Sequence, residues 1–260
     1  MTSDTRHQAR TALSDLYAPV PHFTQIFHRL EERIGVDRRA LTGALVLMFL
    51  AAWAFVELAD DAPEGDYLAW EISVMRSIRG GGEEPGGPAW LPAVARFVTH
   101  LGGSAFLIPV TLGAMAWLRR KGRTHAAIFL AATVAVGHLL NFIFKQSFAR
   151  ERPDAVIHLV ETNSPSFPSG HSMAATISYL AIAVLLAQNV KHRRHQAAVL
   201  AVAFAIIFLV GLSRVYLGVH YPTDVAAGWA AGAAWAVAAG LLAAYISRRA
   251  HAPRQGGGAH

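Results

Sequence analysis

The chain has 260 residues, 53% of them hydrophobic and only 15% charged, against roughly a quarter charged in an average soluble protein, so an ordinary soluble domain is excluded. Its 23 lysines and arginines outnumber 17 aspartates and glutamates to give a net charge of +6, but the cations sort by loop parity and form no single basic face, which argues against a nucleic-acid partner. Cysteine is absent, and with it any disulfide framework or thiolate metal site.

Residues 1–40 form a polar leader without the apolar region and small-residue cleavage site of a secretory signal. Within it Phe23, Ile26, Phe27, Leu30 and Ile34 recur at helical spacing opposite charged residues, which predicts an interfacial helix. Apolar blocks then alternate with short polar ones: Leu41 to Leu58, Phe97 to Leu118, Thr124 to Phe144, Ser172 to Gln188, Gln196 to Leu212 and Val225 to Ser247. Each approaches or exceeds the roughly 18 to 20 residues that cross a bilayer core as a helix. The expected fold is therefore all-α, a polytopic membrane protein whose six-helix domain occupies residues 41–247, followed by a disordered tail at 248–260.

Between the first two spans, Asp66 to Arg79 carries Leu68, Ile72, Met75 and Ile78 on one helical face and is expected to lie along the membrane surface. The glycine-rich stretch Gly80 to Pro88 reads as a connector, because no strand precedes it and no lysine follows in P-loop spacing. Span two contains His100 and Gly102-Gly103, and His100 is expected to bond to a neighbouring helix. Span three carries His138, Asn141 and Lys145 on one face. Gly228 and Gly232 in span six are spaced for close helix packing.

Arginine and lysine are concentrated in the leader, in Arg119 to Arg123, in Lys191 to Arg194 and in the tail, whereas the first intervening loop is acidic, with Asp60, Asp61, Glu64, Asp66, Glu71, Glu83 and Glu84. The positive-inside rule then places both termini in the cytoplasm of a multi-pass cell-membrane protein, with the loops after spans one, three and five on the periplasmic or extracytoplasmic face.

Chemistry gathers in those outward loops. Lys145 and Arg152 lie seven residues apart, so a helix continuing beyond the membrane edge would bring both cations to one point. Ser169 and Gly170 begin span four, where free backbone N–H groups, a hydroxyl and the helix dipole attract an anion, and His171 enters beside them as a proton donor. After span five come Arg214, His220 and Asp224, with Pro222 suited to the first helical turn. A carboxylate holding one imidazole nitrogen leaves the other bare, as a nucleophilic or general-base histidine requires. Helix capping by His220 and Asp224, with Arg214 snorkelling to headgroups, is the alternative for this stretch alone.

Together the motifs supply anion donors (Lys145, Arg152, Ser169, Gly170, Arg214), a histidine with its orienting carboxylate (His220, Asp224) and an acid (His171). This set suits phosphoryl transfer in which cations take the charge-neutralising place of a metal, so no metal or other cofactor is expected. The sequences Lys145 to Pro153, Pro168 to His171 and Ser213 to Asp224 resemble the three signatures of the type-2 phosphatidic acid phosphatase superfamily, the lipid phosphate phosphatases. The resemblance covers roughly Asp66 to Ser247 and is closest to bacterial phosphatidylglycerophosphate and undecaprenyl-diphosphate phosphatases. It implies a hydrolase acting on a phosphorylated membrane lipid, a phosphohistidine at His220 and leaving-group protonation by His171. A lipid phosphotransferase would use the same residues, and a transporter would leave the His220 and Asp224 pair unemployed.

Overall fold

The computed structural model describes residues 37–61 and 68–251, so the leader helix expected at residues 23–34 lies outside the described residues. Among the described residues eight helices run in chain order: α1 (Arg38–Asp61), α2 (Leu68–Ile78), α3 (Leu91–His100), α4 (Ser104–Arg120), α5 (Thr124–Ser147), α6 (Gly170–Ala187), α7 (Arg193–Tyr216) and α8 (Pro222–His251). No strand is found among the described residues. The chain divides into two compact units, residues 1–43 with 241–260 and residues 44–240; the second contains every motif described above.

Five helices, α1, α5, α6, α7 and α8, are each long and apolar enough to cross a membrane. Helices α3 and α4 pass the same test only when taken together, as a pair bent by 48° at their junction, which brings the candidate crossings to six where the pair counts as one span. The fold is thus a multi-pass helical membrane protein, but the second span is broken where the sequence read as continuous. Three residues, Leu101 to Gly103, interrupt it. An added Cβ at Gly102 would stand 2.5 Å from Val210 Cγ1 and 3.1 Å from the His171 carbonyl. The break therefore exists where α3 and α4 pass against α6 and α7 with no room for a side chain. Tyr179 caps it by donating its hydroxyl to the Leu101 carbonyl at 2.8 Å, which satisfies a backbone group that lipid could not.

Burial ranks the helices. Half of the apolar window of α6 is buried, against 6% of that of α1, so α6 is the central element. It packs on α4, α5 and α7, and α8 closes on it through Gly228 and Gly232. An added Cβ at those positions would lie 2.6 Å from the Ser169 carbonyl and 2.7 Å from Thr176 Cβ, as the expected small-residue packing requires. Outward faces carry Phe49, Phe97, Phe142 and Phe204, each more than half exposed, and these suit hydrocarbon rather than water.

The helix after span one differs from its expected amphipathic placement. Glu71 and Met75 are its buried face, with Arg79 buried just past its end, whereas Leu68 and Ile78 are exposed. Arg79 donates to the carbonyls of Ile157 and Tyr216 at 2.9 and 3.2 Å. Gly218, with φ of +80°, admits that guanidinium, because a Cβ there would stand 2.6 Å from Arg79 Nη1. This helix is docked into the bundle by two charges and one methionine.

Candidate active site

The motif-bearing ends of α5, α6 and α7, with the turn ahead of α8, enclose a cavity of about 370 Å³ lined by Lys145, Arg152, Gly170, His171, Arg214 and His220, with Thr162, Asn163 and Ser164 at its rim. All three sequence motifs thus meet at one place. A second groove of about 420 Å³, formed by His158 to Asn163, has one carboxylate, Glu161, and no lysine or arginine, so the smaller cavity is the one built for an anion.

Lys145 and Arg152 converge, but not by helical phase. The helix stops at Ser147, Phe148 is extended, and Arg152 sits on irregular chain. Convergence comes from the loop ahead of α6: Lys145 Nζ donates to the Pro165 carbonyl at 2.7 Å, and Arg152 donates to the Ser164 carbonyl at 2.9 Å and to the Val219 carbonyl. These partners are neutral, so both cations keep their charge for an incoming anion. Arg214, near the C-terminus of α7, donates Nη1 to Thr99 Oγ1 at 3.0 Å, while its buried Nε has no protein partner. A buried guanidinium N–H left without an acceptor at a cavity wall is ready for a ligand oxygen.

His220 lies in the turn between α7 and α8 and is almost fully buried. Its Nδ1 is 3.3 Å from Asp224 Oδ2, and its Nε2 is 3.3 Å from Arg152 Nη1. A guanidinium can only donate, so Nε2 is the acceptor nitrogen and Nδ1 carries the proton toward the carboxylate. Burial, then the Arg214, Arg152 and Lys145 charges, hold the His220 pKa well below the ordinary histidine value, which keeps the ring neutral. Asp224, in the first turn of α8, is held from several sides: Ser166 donates its hydroxyl to Oδ2, the Tyr221 N–H donates to Oδ2 at 2.9 Å, and Arg150 Nη1 donates to Oδ1 at 2.7 Å.

Two expected site residues stand behind the cavity. Ser169 is buried; its N–H donates to the Asp224 carbonyl at 2.9 Å and its hydroxyl accepts from Ser172 at 2.9 Å. The backbone N–H expected to hold an anion is therefore occupied at Ser169, and Gly170 alone of the two reaches the wall. Asp224 is also fully buried. At Gly170 a Cβ would lie 3.0 Å from Asn141 Nδ2 and 3.2 Å from Lys145 Cε, so Asn141 packs beneath the cavity floor. The side chain of His100 is exposed, and the bond between helices is made by Thr99 instead. Sequence reasoning passed over Ser166, Arg150, Glu71 and Thr99; among them only Glu71 left a trace, its spacing with Met75. Among the described residues no group of three or more histidines, aspartates and glutamates is arranged as metal ligands.

Comparison with known proteins places this geometry. Residues 126–248, which include all three motifs, match the PAP2 superfamily. Phosphatidylglycerophosphatase B of Bacillus subtilis is 42% identical over 146 residues, 55% of this chain and 70% of that protein. The chain belongs to the PAP2 superfamily. The decaprenylphosphoryl-5-phosphoribose phosphatase of Mycobacterium tuberculosis is 33% identical over 182 residues, 68% of this chain and 89% of its own length. The crystal structure of a transmembrane PAP2-type phosphatidylglycerolphosphate phosphatase from Bacillus subtilis aligns with a TM-score of 0.66 at 29% identity, covering 82% of this chain and 98% of that one. Glu71 and Thr99 fall before the residues that match the PAP2 superfamily.

Proposed function

We propose that this PAP2-type membrane lipid phosphatase hydrolyses a phosphomonoester carried by a lipid of the phosphatidylglycerophosphate kind, through a phosphohistidine at His220. The observation that carries the reading is the two-sided environment of His220: its Nε2 stands on a wall shared with Lys145, Arg152 and Arg214, while its Nδ1 is turned to Asp224. A phosphoryl group seated among those cations and the start of α6 presents phosphorus to Nε2. The N–P bond forms as the bond to the lipid oxygen breaks, and His171 gives that oxygen its proton. Water then attacks phosphorus, His171 takes the water proton, the N–P bond breaks, and inorganic phosphate leaves with both histidines restored. Asp224 stabilises the positive charge that the ring carries in between. The name of phosphatidylglycerophosphatase B supports the lipid and the monoester.

The site is also assigned to the extracytoplasmic face of the cell membrane. Support comes from the opposite end of the bundle, where Arg119 and Arg120 end α4, Lys121 and Arg123 follow in the turn, and Arg123 donates to Gln188 beyond α6 at 2.7 Å. That basic end belongs in the cytoplasm by the charge rule. Because the chain has no cysteine, a single Asn163→Cys at the cavity rim, labelled from outside intact cells with an impermeant thiol reagent, tests the orientation; protection until the cells are lysed reverses it.

The chemistry is tested by acid-quench labelling with a phosphate-labelled lipid, alongside a panel of lipid monoesters, diphosphates and an aryl phosphate. His220→Ala is expected to lose labelling and turnover for every substrate. His171→Ala is expected to keep the label and retain proportionately more aryl phosphatase than lipid phosphatase activity, because a phenolate leaves without a proton. Labelling that survives in His220→Ala and vanishes in His171→Ala exchanges the two roles.

A further inference from the structure

A carboxylate outside the three motifs is built into the back of the site. Glu71, on α2, is fully buried, a placement that is costly for an ionised group unless it is paired and hydrogen-bonded. It is both. Its Oε2 accepts from Arg150 Nη2 at 2.7 Å, and its Oε1 accepts from the Thr223 N–H at 3.2 Å and from the Thr223 hydroxyl. Arg150 lies over the Tyr221 ring, 4.2 Å from its centre, and divides its fork between two carboxylates. Nη2 goes to Glu71 and Nη1 to Asp224 Oδ1 at 2.7 Å, with Thr223 Oγ1 a second acceptor for Nη1 at 2.8 Å.

We infer that Glu71 is a positioning residue of the phosphoryl-transfer site, acting through Arg150 to hold the Asp224 carboxylate in the rotation that presents Oδ2 to His220. This rests on His220 being the nucleophile. A guanidinium facing a single carboxylate takes both of its oxygens with parallel N–H groups. Were Arg150 to do so at Asp224, Oδ2 would be drawn away from His220. Glu71 occupies the second arm of the fork, so Arg150 reaches Oδ1 alone and Oδ2 stays with Ser166, Tyr221 and His220. Charge acts in the same sense. Arg150 alone would cancel the negative charge that favours a positive ring on His220; with Glu71 present, the group Glu71, Arg150 and Asp224 keeps one net negative charge. Neither Glu71 nor Arg150 lines the cavity, so the effect falls on the chemical step and not on substrate affinity.

The sign of the pH response separates this role from mere bracing. The charged and titratable groups about His220 are Lys145 from α5, Arg152 from the loop, His171 from α6, Arg214 from α7 and Asp224 from α8. His220 attacks only when unprotonated, so kcat falls as pH drops through its pKa. Glu71→Gln removes a negative charge behind the ring and is expected to move that acid limb to lower pH, with kcat at the plateau down by about tenfold, the loss of one charged hydrogen bond, and KM unchanged. Arg150→Met removes a positive charge and is expected to move the limb to higher pH. Glu71→Asp keeps the charge and is expected to leave the limb at its wild-type position.

The experiment is kcat against pH for the purified full-length protein and these three variants on a lipid monoester, with acid-quench labelling run in parallel. Opposite shifts in Glu71→Gln and Arg150→Met support the inference. Shifts in the same direction, or limbs that stay in place while kcat falls, overturn it and leave Glu71 a structural brace. If the wild-type protein forms no phosphohistidine, the reading of His220 fails independently of where the limbs lie.

Discussion

Arg150 and Arg152 stand two residues apart, yet they belong to different environments. Arg150 faces the back of His220, where both arms of its fork end on carboxylates. Arg152 faces the front, where its partners are carbonyls, a serine hydroxyl and the bare nitrogen of His220. Burial lowers the pKa of both, but Asp224 and Glu71 reverse this at Arg150 and raise its value above the ordinary one, whereas at Arg152 the loss of hydration dominates and the value stays low. A cation answered by carboxylates is fixed in place and contributes orientation. A cation answered only by neutral dipoles retains the field that draws in a phosphate. The division of the site into a rear whose cation is paired with carboxylates and a front whose cations have only neutral partners follows from partners alone.

The largest test of that division is at the rear. Asp224→Asn preserves shape but can no longer hold the Nδ1 proton as a carboxylate does, and kcat is expected to fall on the order of 10⁴-fold, as loss of an orienting carboxylate does in hydrolase triads. Single-turnover labelling measures this; a rise in KM with kcat retained would place Asp224 at the front instead. At the front, Arg214→Ala removes a donor aimed at the phosphoryl group, with an expected loss of roughly 10² to 10³ in kcat and weaker inhibition by inorganic phosphate, a change that Asp224→Asn should lack.

Acidity sharpens the comparison further. Because burial and then Arg214, Arg152 and Lys145 depress the His220 pKa, activity should persist below the ordinary histidine value and fail only at lower pH, as the ring takes up its proton. Arg214→Ala removes one of the depressing charges, so its acid limb should move upward; a pH profile of kcat reads the sign directly. Smaller still is Thr99→Val, which takes from Arg214 its one protein acceptor and should lower kcat by about tenfold without touching the pH profile. A chelator should change nothing, since the front supplies positive charge from side chains; abolition by EDTA and recovery with magnesium would require a different front.

The front was legible in the sequence because charge in an apolar chain stands out, and Lys145, His171, Arg214 and His220 did stand out. Their meeting place was legible too, although the reason given for Lys145 and Arg152 was not, since helical phase is lost once the helix ends at Ser147. The rear was hard to read. Arg150 fills an unremarked position inside the first motif, and Ser166 sits among loop serines whose partners depend on how the loop folds back. Glu71 was hidden among seven carboxylates that looked like a solvated acidic loop; its burial is decided by Arg150 and Thr223, 79 and 152 residues away in sequence. The broken second span was obscured for a similar reason, because the tight approach of Val210 and His171 to Gly102 is a property of packing between helices and not of any one of them.

The bond from the Ser169 N–H to the Asp224 carbonyl joins the entries of α6 and α8, the two helices that carry His171 and Asp224. A single backbone link at that point makes the two helix entries one mechanical part. Sliding one of these helix entries past the other would have to break that bond, so His171, next but one after Ser169, and Asp224 are held at a common depth.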